Sequence, residues 1–170
     1  MTVAELNALS VADAHRAFER CCGCASWVER MVSRRPFVNL NHLLGIAYAF
    51  WMKLGPDDWR EGFAHHPKIG DLESLRRRFA STADLALREQ AAVASASQAT
   101  LQALAEGNRA YQERFGYIFI VFASGRSADE MLTLLRQRLG NDPETELETA
   151  AREQWKIMRL RLDMLLDGPH

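Results

Sequence analysis

A chain of 170 residues, 48% hydrophobic and 25% charged, can bury one sizeable core, and its five Pro and ten Gly are too few for a fibrous or disordered chain. Its 21 basic and 22 acidic residues leave a net charge of -1, which argues against nucleic-acid or membrane-surface binding, since both draw on an excess of Lys and Arg. The first ten residues lack the basic and apolar regions of a secretory signal, and Leu43 to Met52 is about half the ~20 residues of a membrane span, so a cytoplasmic location is expected.

Apolar spacing is helical nearly throughout. Ser10 can cap a helix whose inward face holds Val11, Ala14 and Phe18. Cys21, Cys22 and Cys24 follow. They form no CxxC pair and no disulfide framework, which favours packed thiols near a helix end over metal ligands. A second helix from about Cys24 carries Trp27, Val28 and Met31 and stops at Arg35-Pro36, because proline disfavours helix in the residue before it. Asn39 or Asn41 can cap a largely apolar helix, Leu40 to Leu54, and Gly55-Pro56 ends it and opens a short one through Trp59 and Phe63. Asp71 can cap Leu72 to Phe79.

A long helix is expected from about Ala83 to Phe115, with a break at Gly107. Tyr117 to Ala123 has strand character but no partner strand, so a buried extended segment or helical turn is expected there. Ser127 and Glu130 have capping-box spacing, and that helix ends at Gly140-Asn141. A last helix, Glu144 to Leu166, points Leu147, Trp155, Met158, Leu162 and Leu165 inward, with acidic residues first and Arg toward its end to suit the helix dipole. The reading is a single all-α domain, a bundle of about seven to nine helices over residues 1–170.

Chemistry has one natural place in this pattern. His65-His66-Pro67-Lys68-Ile69-Gly70-Asp71 is irregular, polar and bounded by Pro and Gly. A histidine before proline is held extended and off any helix surface, and imidazole suits acid/base work near neutral pH. Two histidines closing an inter-helix turn would look the same. Arg88-Glu89-Gln90 offers a carboxylate beside an amide, which taken alone reads as a solvated helix face, as does Arg76-Arg77-Arg78. Of the 21 basic residues only Lys53, Lys68 and Lys156 are lysine; genome codon bias or planar recognition of carboxylate and ureido groups by Arg would each give this.

Taken together the motifs become specific. Cys21-Cys22-Gly23, Trp27, Met31 and Arg35-Pro36-Phe37 are followed by His66-Pro67-Lys68-Ile69-Gly70 and Glu89-Gln90. Asn108, Tyr111, Phe115-Gly116, Phe119, Arg138-Leu139, Asn141, Glu146, Ile157 and Arg161-Leu162 complete an ordered set from Leu6-Asn7 to about Leu166. The chain resembles the 2-oxo-4-hydroxy-4-carboxy-5-ureidoimidazoline (OHCU) decarboxylases of the urate-to-allantoin route.

The resemblance implies a lyase in which His66 is the catalytic acid/base and Glu89 fixes its tautomer. It places Gln90 on the ureido group or ring amide, and Arg161 on a carboxylate or carbonyl oxygen. Pro67 and the backbone of Phe119, Ile120, Val121, Phe122 and Ala123 fall on substrate-lining positions. Ala86 stands where many members have a substrate-contacting Ser, so one hydrogen bond is expected to be missing, carried by water, or supplied by Ser81 or Thr82. The conjugated ring can hold the electron pair left by CO2, so neither a metal nor an organic cofactor is implied. The expected partner is the small-molecule substrate, with neither nucleic acid nor membrane, and a homodimer is the implied assembly. A catalytically silent all-α binding module and a decarboxylase of a related ureido acid are the rival readings.

Overall fold

Side-chain caps and turn residues set the helix boundaries, as the sequence spacing predicts. A computed structural model describes residues 1–66 and 93–166, apart from the side chains of residues 93–97. Eight helices are seen among them, and no strand: α1 Val3–Ala8, α2 Val11–Cys21, α3 Ala25–Arg34, α4 Leu40–Met52, α5 Pro56–Ala64, α6 Val93–Phe115, α7 Ala128–Leu139 and α8 Pro143–Leu166. Ser10 accepts from the Asp13 amide to cap α2, Asn39 accepts from the His42 amide to cap α4, and Pro56 opens α5. Ser127 and Glu130 form the full capping box at α7. The expected helix Leu72 to Phe79, the Arg76-Arg77-Arg78 face and the stretch from Ala83 to residue 92 lie outside the described residues.

Contacts divide the chain into two units, Met1–His66 with Leu147–His170, and Pro67–Glu146. In the first, Phe18, Trp27, Met31, Leu43, Trp51, Phe63, Met158 and Leu162 are fully buried. Indole N–H groups tie its helices together, because a buried tryptophan must spend its donor. Trp27 Nε1 donates to the Ala47 carbonyl at 3.0 Å, Trp51 Nε1 to Ala151 at 2.8 Å, and Trp59 Nε1 to Trp51 at 2.9 Å. Arg35 gathers the carbonyls of Leu6, Leu9 and Val32, fastening α1 to the end of α3. Asn7 and Phe37 exchange two hydrogen bonds, of 2.8 and 2.9 Å. The Leu6-Asn7 and Arg35-Pro36-Phe37 motifs are thus two sides of one joint.

In the second unit α6 packs along α7. Helix α6 runs unbroken through Gly107, against the expected break. A Cβ there would stand 2.6 Å from Leu135 Cδ2, so the glycine serves close helix packing and not chain interruption. After α6, Gly116 adopts φ +81° and its N–H returns to the Gln112 carbonyl, a left-handed stop that glycine enters without steric cost. Residues 118–123 are neither helix nor strand.

Three further expectations need correction. Helix α1 has no counterpart in the periodicity, because it spans six residues and buries only Leu6; its own Thr2–Glu5 capping box holds it. Val11 is 70% exposed, since as the first residue of α2 it precedes the point where the helix meets the core at Ala14 and Phe18. Helix α8 starts at Pro143 with Glu144 and Glu146 in its first turn, but its last turn carries no basic residue.

Candidate active site

Helix α5 delivers the histidine pair. It ends at Ala64, His65 takes the C-cap, and the His66 N–H returns to the Phe63 carbonyl at 3.2 Å. His65 is exposed and His66 half-buried. The His65 side chain lies directly over Gly23, where an added Cβ would come within 2.0 Å of its Cγ and 2.5 Å of its Cβ. The glycine of Cys21-Cys22-Gly23 is therefore required by the approach of α5's end. This is the physical content of that motif.

His66 Nε2 is hydrogen-bonded to Oε1 of Gln154, a fully buried side chain of α8. Two turns further along α8, Arg161 is half-buried and donates from Nη1 to the Cys21 carbonyl at 3.2 Å. Burial is the main influence on His66 and holds its pKa below the usual histidine value; Gln154 opposes this, while Arg161 and His65 reinforce it. His66 is thereby a neutral imidazole at physiological pH, with the Arg161 guanidinium near enough to oppose its protonation. Such a pair can take up a proton and hold an anion at once.

The three cysteines are reduced and buried. Burial pushes Cys21 up to about 11, Cys22 to about 12 and Cys24 to about 11, so all three are thiols at neutral pH. Ligand atoms of Cys24, Asp58 and Glu61 come within 4.8 Å of one another. The carboxylates are engaged at the start of α3, Asp58 accepting from Ser26 Oγ at 2.8 Å and Glu61 from the Ala25 amide at 3.3 Å.

The expected substrate-lining segment belongs to the second unit. Ile120 is buried, and Phe119, Val121, Phe122 and Ala123 are half-buried. A buried polar cluster holds this segment. Arg138 donates from Nη1 to the Ile120 carbonyl at 2.6 Å and from Nε to Glu146 Oε1 at 2.7 Å, and its guanidinium lies 4.6 Å from the Phe119 ring centroid. Tyr111 Oη donates to Glu146 Oε1 at 2.5 Å and Asn141 Nδ2 to Oε2 at 2.9 Å. Burial and the Glu146 bond raise the Tyr111 pKa, keeping the phenol a donor.

Of the residues expected in the site, His66 and Arg161 fall in the first unit and Phe119 to Ala123 in the second. Pro67, Ala86, Glu89 and Gln90 lie outside the described residues, as do Ser81 and Thr82. Gln154 is absent from the residues the sequence singles out, although it sits seven residues before Arg161, on the same face of the last helix. A polar residue interrupting the inward stripe of Leu147, Met158 and Leu162 was the available signal.

Comparison with known proteins bears on this arrangement. The OHCU decarboxylase family profile matches residues 7–163. The uric acid degradation bifunctional protein TTL of Arabidopsis thaliana is 37% identical over 149 residues, 85% of this chain; the chain spans 45% of that protein's length. The 2-oxo-4-hydroxy-4-carboxy-5-ureidoimidazoline decarboxylase of Amia calva is 29% identical, with 99% of this chain and 97% of that one covered. A crystal structure of OHCU decarboxylase in the presence of (S)-allantoin superposes with a TM-score of 0.70 at 36% identity, covering 89% of this chain and 97% of that one.

Proposed function

We propose, from the premise that the chain belongs to the OHCU decarboxylase family, that it converts OHCU to (S)-allantoin and CO2, with His66 as acid/base and residues 1–170 acting as one catalytic domain. The observation that carries the assignment to residues is the neutral, half-buried imidazole of His66 within electrostatic reach of Arg161. Neutrality makes it a base at physiological pH, and the guanidinium supplies an anion contact.

The substrate carries its carboxylate on a ring carbon that also bears a hydroxyl and adjoins the ureido-bearing carbon. Arg161 holds a carboxylate or carbonyl oxygen. The bond to the carboxylate carbon breaks, CO2 leaves, and the electron pair passes into the conjugated ring, where one solvent proton neutralises the ring nitrogen. His66 takes the hydroxyl proton as the carbonyl forms and delivers it to one face of the neighbouring carbon, setting the S configuration. Glu89 orients the imidazole, Gln90 reads the ureido group, and Pro67, Ala86 and the 119–123 backbone line the pocket. Partial burial of Phe119 and Phe122 supports a low-dielectric site, in which these contacts strengthen and neutral CO2 is favoured as product.

No helix among the described residues is long and apolar enough to cross a membrane. A cytoplasmic homodimer acting on a free small molecule belongs to the same reading. Exposed Leu160 and Met164, one turn apart on α8, support self-association, and light scattering at micromolar concentration tests it.

The test is to add the purified chain to freshly generated OHCU and follow the circular dichroism of the allantoin formed. Rapid appearance of the S enantiomer is expected, and His66→Ala should abolish it while retaining helical dichroism. Decay no faster than the spontaneous reaction would favour a silent binding module. Activity only on another ureido acid would favour a related decarboxylase.

A further inference from the structure

The carboxamide of Gln154 has no surface to serve, since it is wholly buried on α8. A buried amide is costly unless both its ends are bonded. Only one end is. Oε1 meets His66 Nε2, whereas Nε2 of the amide has no regular hydrogen-bond partner and lies against the Cys22 thiol. Leu or Met would fill the same space with no amide to satisfy, so what this side chain adds over them is its bond to the histidine.

We infer that Gln154 is a positioning residue for His66, holding the proton on Nε2 so that Nδ1 is the nitrogen that exchanges protons with substrate. An amide oxygen can only accept, so the imidazole nitrogen facing it must donate. In a neutral ring the other nitrogen then carries the lone pair. A glutamine suits the task better than a glutamate because it selects the tautomer without adding a charge that would hold the ring protonated. The i, i+7 spacing also places Gln154 and Arg161 on one face of α8, so one rigid helix sets both the base and the anion contact. This assignment rests on the reading of His66 as the acid/base; it specifies which ring atom does the work and gives Gln154 the tautomer-fixing part expected of Glu89.

Among the described residues the groups acting on His66 are Arg161 and Gln154 from α8 and neighbouring His65, while Cys22, from the α2–α3 connection, lies against Gln154. Arg161 and His65 oppose protonation of His66, Cys22 is a neutral thiol, and Gln154 favours protonation. Gln154→Leu should therefore lower the acid limb of kcat/KM, by about half to one pH unit for one lost hydrogen bond. Gln154→Glu should raise it. Opposite displacements are the signature of direct contact with the titrating ring, which a packing role would not give.

The experiment uses the full 15N-labelled chain, with His66 assigned by comparison with His66→Gln. Long-range proton–nitrogen correlation at pH 7.5 should show the Nε2-protonated neutral tautomer in the wild type and a tautomer mixture in Gln154→Leu. Turnover of OHCU by that variant should fall about 10- to 100-fold in kcat with KM within about twofold, as for a misplaced acid/base group. An Nδ1-protonated wild type, or acid limbs unmoved in both variants, would overturn the inference. Should Gln154→Leu fail to fold by circular dichroism, the wild-type spectrum and Gln154→Glu still decide. A chain inactive on OHCU that nevertheless shows the Nε2 tautomer and both titration shifts would remove the proposed reaction and keep the pairing.

Discussion

Arg138 donates a 2.6 Å hydrogen bond to the carbonyl oxygen of Ile120, so a charged side chain from α7 fixes the backbone of the segment expected to line the substrate pocket. The same guanidinium is paired with Glu146, which is completely buried and also accepts from Tyr111 and Asn141. Four of the sequence marks thereby become one object, a polar clamp that a segment without regular secondary structure needs in order to keep one conformation.

Breaking that clamp at its cation should be severe. Arg138→Met leaves Glu146 buried without its counter-ion, a change that typically costs about 3–5 kcal/mol. Tyr111→Phe removes one hydrogen bond to a charged group and should cost less, about 1.5–3 kcal/mol. Urea unfolding of the two variants checks the order. A loss below about 1 kcal/mol for Arg138→Met would show that the other partners of Glu146 or water take over from the guanidinium.

Gly23→Ala tests the joint beneath the histidines. The new methyl would sit 2.0 Å from His65 Cγ and 2.5 Å from its Cβ, too close to the chain for a rotamer change alone to relieve. The end of α5 must shift, and His66 with it. Overpacking of this kind costs about 1–3 kcal/mol, and because acid/base geometry tolerates little displacement, kcat should fall at least about tenfold. Equal activity in thermally stable Gly23→Ala protein would separate His65 packing from His66 placement.

Why some of this was legible in the sequence and some was not follows from the range of the interactions involved. Caps at Ser10, Asn39 and Ser127 act over three residues, so their spacing announces them. The Gln154–His66 pair spans 88 positions and the Arg161–Cys21 contact 140, and no local pattern encodes either. The family resemblance marks Tyr111, Arg138, Asn141 and Glu146 without saying what they do; only the hydrogen bonds that the other three make to buried Glu146 explain them. Gly107 misled for a related reason. Its lack of a side chain looks like a weakness in α6 from the sequence, but its purpose lies on α7.

Gly107→Ala accordingly has two opposed effects. Alanine favours helix by about 1 kcal/mol over glycine, while its Cβ, 2.6 Å from Cδ2 of fully buried Leu135, overpacks the α6–α7 contact by about 1–3 kcal/mol. Packing should win, giving a lower melting temperature. In a Leu135→Val background the alanine should become neutral or stabilising, and a double-mutant cycle measures the coupling. Additive effects would mean that the two helices part readily at this level.

The pH dependence of stability isolates His66. Its folded pKa is lowered, first by burial and then by Arg161 and His65, from an ordinary value of 6.5. A histidine in that position binds its proton more readily in the unfolded chain. It therefore leaves stability unchanged above about pH 6.5 and subtracts from it as pH falls below that value, until the folded-state pKa is also passed. The pKa values of Glu5, Asp13 and Asp142 are lowered too, by hydrogen bonds to Thr2, Ser10 and Thr145, but from carboxylate values, so what they contribute is lost only at more acid pH, below about 4. Urea midpoints compared between pH 7.5 and 5.5 should thus decline in the wild type and decline less in His66→Gln. The kcat/KM profile should keep its acid limb below 6.5 for the same reason, since the basic form persists to lower pH. A limb above 6.5 would mean that another group, and not this imidazole, receives the proton.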